Sequence, residues 1–220
     1  MRRIAMRFSI AAVIFLACAA VTGGGALRAP QSRPNLGRLD TTNPIPFFID
    51  DGRGIKGYAP PDRDLAKAAL NAWSRESGGK LRFVEAKNAD EALVHVEWSS
   101  PDQGLFGVTQ RTLVGGKAGA IVFVIPQVEG LGQPLAGQAA KDPLLRDTIV
   151  YLTCVHELGH AVGLPHTDKF EDIMYSFGYG GDILAYFMRY RMKLNSRSDI
   201  DLHSGLSDAD VEFLRSLYAD

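Results

Sequence analysis

The sequence is poor in cysteine and has no excess of charge of either sign. Two cysteines among 220 residues exclude a scaffold built on many disulfides. The 24 basic and 25 acidic residues leave no overall positive field, so we expect no nucleic-acid partner. With 46% hydrophobic and 22% charged residues, the composition excludes a mostly disordered chain and a protein with many membrane spans. The length suits a single domain.

The N-terminus predicts an export signal. Three arginines among the first seven residues precede a run over residues 8–21 that carries no charge and is mostly apolar. This run suits the hydrophobic region of a signal peptide and is short for a membrane helix. Two alternatives stay open: residues 1–26 remain as an uncleaved anchor, or Cys18 is lipidated. In each case we expect an exported protein, extracellular or periplasmic, that contacts a membrane only through this segment.

Removal of this segment leaves Cys154 as the single cysteine. An exported chain with one cysteine cannot form an internal disulfide. Stability must therefore come from core packing and from any bound metal, and we interpret Cys154 as a buried structural residue.

A short linker and one domain follow. Residues 27–42 contain prolines and glycine without apolar periodicity, which is typical of a linker, and residues 43–220 form the domain. The predicted elements, in chain order, are a strand at 45–49, a helix from Pro60 to about Ser77, strands at 81–85, 93–98, 108–114 and 120–125, a surface loop over 127–142, and a helix from about 143. This order predicts an α+β fold with a twisted mixed sheet of about five strands, and we expect a monomer.

His156, Glu157 and His160 form the pattern HExxH. Two histidines four positions apart lie on one face of a helix, about 6 Å apart along its axis, so both imidazoles can reach one ion. Glu157 lies at the edge of that face, where it can hydrogen-bond a water bound to the metal and act as general base.

The following residues let a third histidine return to the same ion. Gly163 can adopt a positive φ and end the helix, Pro165 prevents its continuation, and His166 then turns back. Three neutral imidazoles leave one coordination position for water, which is typical of a catalytic zinc site rather than a structural one. The pattern predicts one catalytic Zn²⁺ held by the three histidines. His95 and His203 have no partners at a suitable spacing, so no second metal is assigned.

The string from His156 to His166 resembles the long zinc motif HExxHxxGxxH of the metzincin metallopeptidases, in particular the matrixin (matrix-metalloproteinase) branch. Met174 has the spacing of the family's Met-turn, which lies beneath the zinc, and residues 206–218 are similar to its last helix. The resemblance implies a metzincin-like catalytic domain in which the sheet packs with an active-site helix and a C-terminal helix. It also implies that the strand at 120–125 is the edge strand of the cleft, to which an extended peptide could add by main-chain hydrogen bonds.

Several family features have no counterpart. The cysteine-switch propeptide has no match in residues 27–42, so we do not expect inhibition by a zinc-bound cysteine. Ala209 stands where the family usually has the aspartate that pairs with the N-terminus formed on activation. No calcium or structural-zinc loop is recognisable in residues 99–119, so calcium is left unassigned. Ser176 stands where the astacin branch has a metal-binding tyrosine.

The connection after the Met-turn, over residues 176–205, is longer than the family leads us to expect. Apolar and aromatic residues over 183–194 are interleaved with Arg189, Arg191 and Lys193. Three interpretations are open: a pocket wall that selects the residue after the cleaved bond, a surface helix that touches a membrane or a partner, or a core helix whose cations reach solvent.

These features predict a secreted zinc metalloprotease. It would be an endopeptidase that hydrolyses a protein or peptide in extended conformation, with a metal-bound water and Glu157 as general base. The alternative is a zinc-containing module that binds peptides in the cleft without hydrolysing them. A pure binder has no need of Glu157, which favours the enzyme.

Overall fold

The computed structural model describes residues 37–100 and 106–219. The strands are β1 (Ile45–Ile49), β2 (Phe83–Glu85), β3 (Val94–Trp98), β4 (Gly107–Val114) and β5 (Lys117–Val124), and the helices are α1 (Asp62–Glu76), α2 (Leu135–Ala139), α3 (Pro143–Val162), α4 (Ile183–Arg191) and α5 (Asp208–Leu217). Short 3₁₀ helices lie at Ala89–Glu91, Val128–Gly130, Phe177–Tyr179 and Arg197–Leu202. The predicted signal or anchor over residues 1–26 falls outside the described residues.

The five strands form one mixed sheet in the order β2-β1-β3-β5-β4. The pairs β1–β2, β1–β3 and β3–β5 are parallel, and β4 is antiparallel to β5. Together with the helices, this confirms the predicted α+β fold, which is compatible with a matrixin-like catalytic domain.

The expected edge strand was wrong. The strand predicted at 120–125 belongs to β5, which pairs with β3 on one side and β4 on the other. The edge strand on this side of the sheet is therefore β4. A two-residue turn explains this arrangement: Gly115 and Gly116 both have positive φ, the conformation that closes a tight hairpin. The hairpin folds the earlier strand to the outside.

The helices α1 and α3 pack together, and α3 also contacts β4 and β5. In α1, Leu65, Ala69 and Trp73 have the spacing of one helical face and are buried. The indole N–H of Trp73 donates to the Val155 carbonyl at 2.9 Å. Within the described ranges no helix combines the length and apolar character needed to cross a membrane.

The surface loop predicted over 127–142 contains the short helix α2. Leu135 is only 1% exposed, and Ala136 and Ala139 are buried beside it. The spacing of these residues gives one apolar face of a helix, which the surrounding glycines and prolines obscured in the sequence.

The described end of the predicted linker packs on the domain. Leu39 is buried, its N–H donates to the Tyr218 hydroxyl at 3.1 Å, and the Arg38 guanidinium donates to the Leu217 carbonyl at 2.9 Å. Residues 37–39 therefore lie against the C-terminal helix.

Candidate metal centre and active site

The helix α3 carries the first three residues of the motif in its last two turns. It begins after Asp142, whose carboxylate accepts from the N–H groups of Leu144 and Leu145. It ends at Gly163, which has a φ of 108°. A Cβ at Gly163 would lie 2.4 Å from the Gly37 carbonyl oxygen, so neither the backbone nor the space suits another residue. The chain turns here towards His166.

The three imidazoles converge. The Nε2 atom of His166 lies 3.2 Å from that of His156 and 3.1 Å from that of His160. The Nδ1 atom of His156 lies 2.7 Å from the Ile173 carbonyl oxygen, and that of His160 lies 2.9 Å from the Leu164 carbonyl oxygen. A carbonyl only accepts, so both Nδ1 atoms carry protons, and the Nε2 atom of each neutral ring presents a lone pair.

This arrangement fits a zinc ion. Two lone pairs facing each other at such a distance repel unless a cation lies between them. Tetrahedral zinc with N ligands at 2.0–2.1 Å separates its ligand atoms by about 3.3 Å, close to the observed values. Burial lowers the pKa of His156 to about 4 and also lowers the pKa values of His160 and His166. The rings are therefore neutral near pH 7, as metal ligands must be.

Glu157 lies next to the triad and is buried. The Thr109 hydroxyl lies 2.8 Å from its Oε2 atom and 2.8 Å from its main-chain carbonyl oxygen. Burial raises the pKa of Glu157 to about 7, although the hydrogen bond from Thr109 opposes this rise. A carboxyl group with such a pKa can both accept and return a proton near neutral pH.

The segment around Met174 lies directly against α3. A Cβ at Gly159 would be 2.3 Å from Met174 Sδ and 2.9 Å from the Trp73 ring, so the glycine admits the methionine. The N–H of Ile173 donates to Asp210 Oδ2 at 2.7 Å, and Asp210 also completes the capping box of α5 with Ser207. The C-terminal helix therefore fixes the segment that supports His156.

A cavity of about 560 Å³ opens beside the histidines and Glu157. Its walls are mostly apolar and aromatic and include Phe106, Leu152, Phe177, Ile183, Tyr186 and Phe187. A pocket of this size and lining suits a large apolar side chain.

The helix α4 has features of both a pocket wall and a core helix, two of the three interpretations left open by the sequence. Tyr186 and Phe187 line the cavity, as a pocket wall requires. Tyr190 is buried outside that lining, and its hydroxyl donates to the His203 carbonyl at 2.7 Å, as in a core helix. Two of the three cations are engaged within the protein: the Arg189 guanidinium lies 4.8 Å from the Tyr186 ring centroid, and Arg191 bonds to the Asp142 carboxylate at 2.8 Å. Lys193 is exposed. These contacts disfavour the interpretation of a surface helix.

Other residues singled out in the sequence lie away from the centre. Cys154 is fully buried, and burial raises the pKa of its thiol. His95 is bonded to Asp50 at 2.9 Å and lies 3.3 Å from Glu97. Within the described ranges the triad is the group of side chains placed to hold a metal.

Sequence reasoning missed residues of β4 and one glycine of the motif itself. Gly107, Thr109 and Arg111 contact α3, and Gly159 makes room for Met174. The strand predicted over 108–114 places Thr109 and Arg111 on one face, but it does not include Gly107. Only the tertiary structure shows what that face meets.

Comparisons with known proteins agree with this geometry. No protein-family model matches the chain. The chain is similar to the macrophage metalloelastase of the rabbit, Oryctolagus cuniculus, with 28% identity over 137 residues, which is 57% of this chain and 27% of that protein. The chain thus spans little more than a quarter of the length of that relative. The similarity and the histidine triad indicate a relationship with metalloproteases.

Proposed function

We propose that this chain is an exported zinc endopeptidase of the matrixin type. The observation that carries the proposal is the convergence of three imidazole Nε2 atoms beside the buried carboxylate of Glu157, at the mouth of a large apolar cavity. The similarity to a metalloelastase supports it. The basic and apolar pattern of the N-terminus supports export.

Each residue has a defined task in this proposal. His156, His160 and His166 would hold Zn²⁺, which when bound polarises a carbonyl group and lowers the pKa of a coordinated water. Glu157 takes a proton from the attacking water at its carboxylate and delivers it to the leaving amine. Met174 packs beneath the imidazoles, and Gly163 sets the turn that brings His166 back.

The substrate would be an extended peptide that pairs with β4. This strand is the edge of the sheet and runs past Glu157. Val108 lines the cavity on the same strand. A peptide added to this edge would gain main-chain hydrogen bonds along β4 and place one side chain in the cavity.

The test is cleavage of a peptide library by the full-length chain, with bound metal measured on the same sample. We expect one zinc ion per chain and cleavage that a chelator abolishes and added zinc restores. Glu157→Gln should retain the zinc and lose about 10²- to 10⁴-fold in kcat, the usual contribution of general acid–base catalysis.

Glu212→Gln is the matched control, because Glu212 is an exposed acid on α5. It should cleave as the parent does. Zinc retained by parent and Glu157→Gln alike, with peptide binding but no cleavage by either, would contradict the enzyme and favour the peptide-binding module.

A further inference from the structure

One face of β4 is devoted to α3. Gly107, Thr109 and Arg111 occupy alternate positions, so they lie on the same side of the strand. All three meet the last part of α3: Gly107 lies against the Glu157 side chain, Thr109 bonds to Glu157, and Arg111 bonds to the carbonyl oxygens of His160 and Ala161. The edge strand therefore contacts the motif at three successive inward positions.

Thr109 is the residue of this face that reaches the carboxylate. Its hydroxyl lies 2.8 Å from Glu157 Oε2 and 2.8 Å from the main-chain carbonyl oxygen of the same residue. A hydrogen bond to an ionised carboxylate is roughly twice as strong as one between neutral groups. A glutamate side chain has several rotatable bonds, so this single bond removes much of the freedom that the carboxylate would otherwise have.

Gly107 leaves the space in which the carboxylate is held. A Cβ at this position would lie 2.7 Å from Glu157 Cγ and 2.7 Å from the Phe123 carbonyl oxygen. The backbone oxygen cannot give way as a flexible side chain would, so the Glu157 side chain would have to shift. Gly107 thus leaves room for the Glu157 side chain, and the Thr109 hydroxyl two residues further along bonds to its carboxylate.

We propose that Thr109 is the positioning residue for Glu157: its hydroxyl orients the carboxylate towards the triad, from the wall of the cavity that both residues line. The inference rests on the proposed function, in which Glu157 is the general base. It assigns the edge strand a second task, because β4 aligns the base with its inner face in addition to offering its outer edge to a peptide.

The experiment compares Thr109→Val with Thr109→Ser in the zinc-loaded full-length chain. Valine keeps the shape and removes the hydroxyl, and serine keeps the hydroxyl. We expect Thr109→Val to lose about 10- to 100-fold in kcat, the range seen when a supporting residue around a metal site is removed. KM should stay within about twofold, because an interaction that matters only in the transition state leaves KM unchanged. Thr109→Ser should recover most of the lost kcat.

Thr112→Val is the matched control, since it makes the same chemical change on the opposite face of the same strand. It should leave kcat unchanged. An unchanged kcat in Thr109→Val, a rise in KM alone, or a failure of Thr109→Ser to recover activity would each overturn the proposal.

Crystal structures of the same variants give a readout that does not depend on activity. The Glu157 carboxylate should leave its place beside β4 in Thr109→Val and return in Thr109→Ser. A carboxylate that stays in place in Thr109→Val overturns the positioning role. If the zinc-loaded parent cleaves no peptide, the proposed function fails, and the crystal structures still decide whether Thr109 sets the position of Glu157.

Discussion

The two ends of α3 are held by different means. Near its start, Arg146 forms a two-pronged ion pair with Asp62, a carboxylate that is completely buried. Arg146 also donates to the Gly57 carbonyl at 2.8 Å. At this end of α3 a side chain, that of Arg146, therefore fixes the helix to α1.

Near its end the helix is held by its main chain. Arg111 donates to the carbonyl oxygens of His160 and Ala161 at 2.7 and 2.9 Å, and the Tyr218 hydroxyl donates to that of Val162 at 2.9 Å. These carbonyls belong to the last four of the helix, which have no partner within it. The difference shows how the proposed site is supported: other elements hold the backbone of this part of α3, so its histidine side chains are left to converge on one point.

The largest expected effect is loss of the metal. His160→Ala removes one of three ligands at the second end, so we expect zinc affinity to fall by more than about 100-fold and cleavage to be lost with it. Metal analysis after dialysis against a defined free-zinc buffer measures this. His95→Ala, which changes a histidine bonded only to carboxylates, should keep its zinc; equal zinc loss in both variants would argue against the triad as the metal site.

Removing the ion pair near the start of α3 should lower stability without changing zinc binding or turnover. Arg146→Met leaves the Asp62 carboxylate buried without its partner, so we expect the free energy of unfolding to fall by about 3 kcal/mol. Urea unfolding measures the loss. The folded variant should bind zinc and turn over substrate as the parent does, and a selective fall in kcat would show that the two ends are not independent.

An arginine-to-methionine substitution at the C-terminal end of α3 should lower both the stability of the fold and the affinity for zinc. Arg111→Met withdraws charged donors from two helix carbonyls, which should lower the free energy of unfolding by about 2 kcal/mol. Because one of those carbonyls belongs to His160, zinc affinity should also fall, by about tenfold. Titration with a competing chelator measures the affinity. If Arg111→Met lowered the free energy of unfolding but left zinc affinity unchanged, the two ends of α3 would not differ in this respect.

The smallest expected effect concerns the cap of α3. Burial favours the protonated form of Asp142, but hydrogen bonds from Arg191, Leu145 and Leu144 outweigh it, so the pKa of Asp142 lies below its ordinary value. Its contribution to stability is then complete above the unfolded pKa of about 4 and is lost as the pH falls through the lower folded value.

Asp142→Ala should therefore cost about 1 kcal/mol at pH 7, and the gap between variant and parent should narrow below about pH 4. Unfolding curves at a series of pH values measure this gap. A gap that stays constant down to low pH would mean that the carboxylate charge is irrelevant to the cap.

Local patterns were sufficient for much of this structure. The strand at 45–49 follows from a short apolar run, and β3 follows from alternating apolar and polar residues. The convergence of His156, His160 and His166 follows from helical spacing and one glycine. The edge strand could not be predicted, because the partner chosen by each strand of a hairpin depends on contacts distant in sequence. The contact between Thr109 and Glu157 was missed for the same reason: both residues look ordinary until β4 and α3 meet.

Tyr186 joins the cavity wall to the support of the metal site. It lines the cavity, and its hydroxyl donates at 3.1 Å to the Ile173 carbonyl, the same oxygen that accepts from His156 Nδ1. Altered selectivity at position 186 would thus come with altered basicity of a ligand. Substitutions at Ile183 and Phe187 would reshape the same wall and leave the Tyr186 hydroxyl in place.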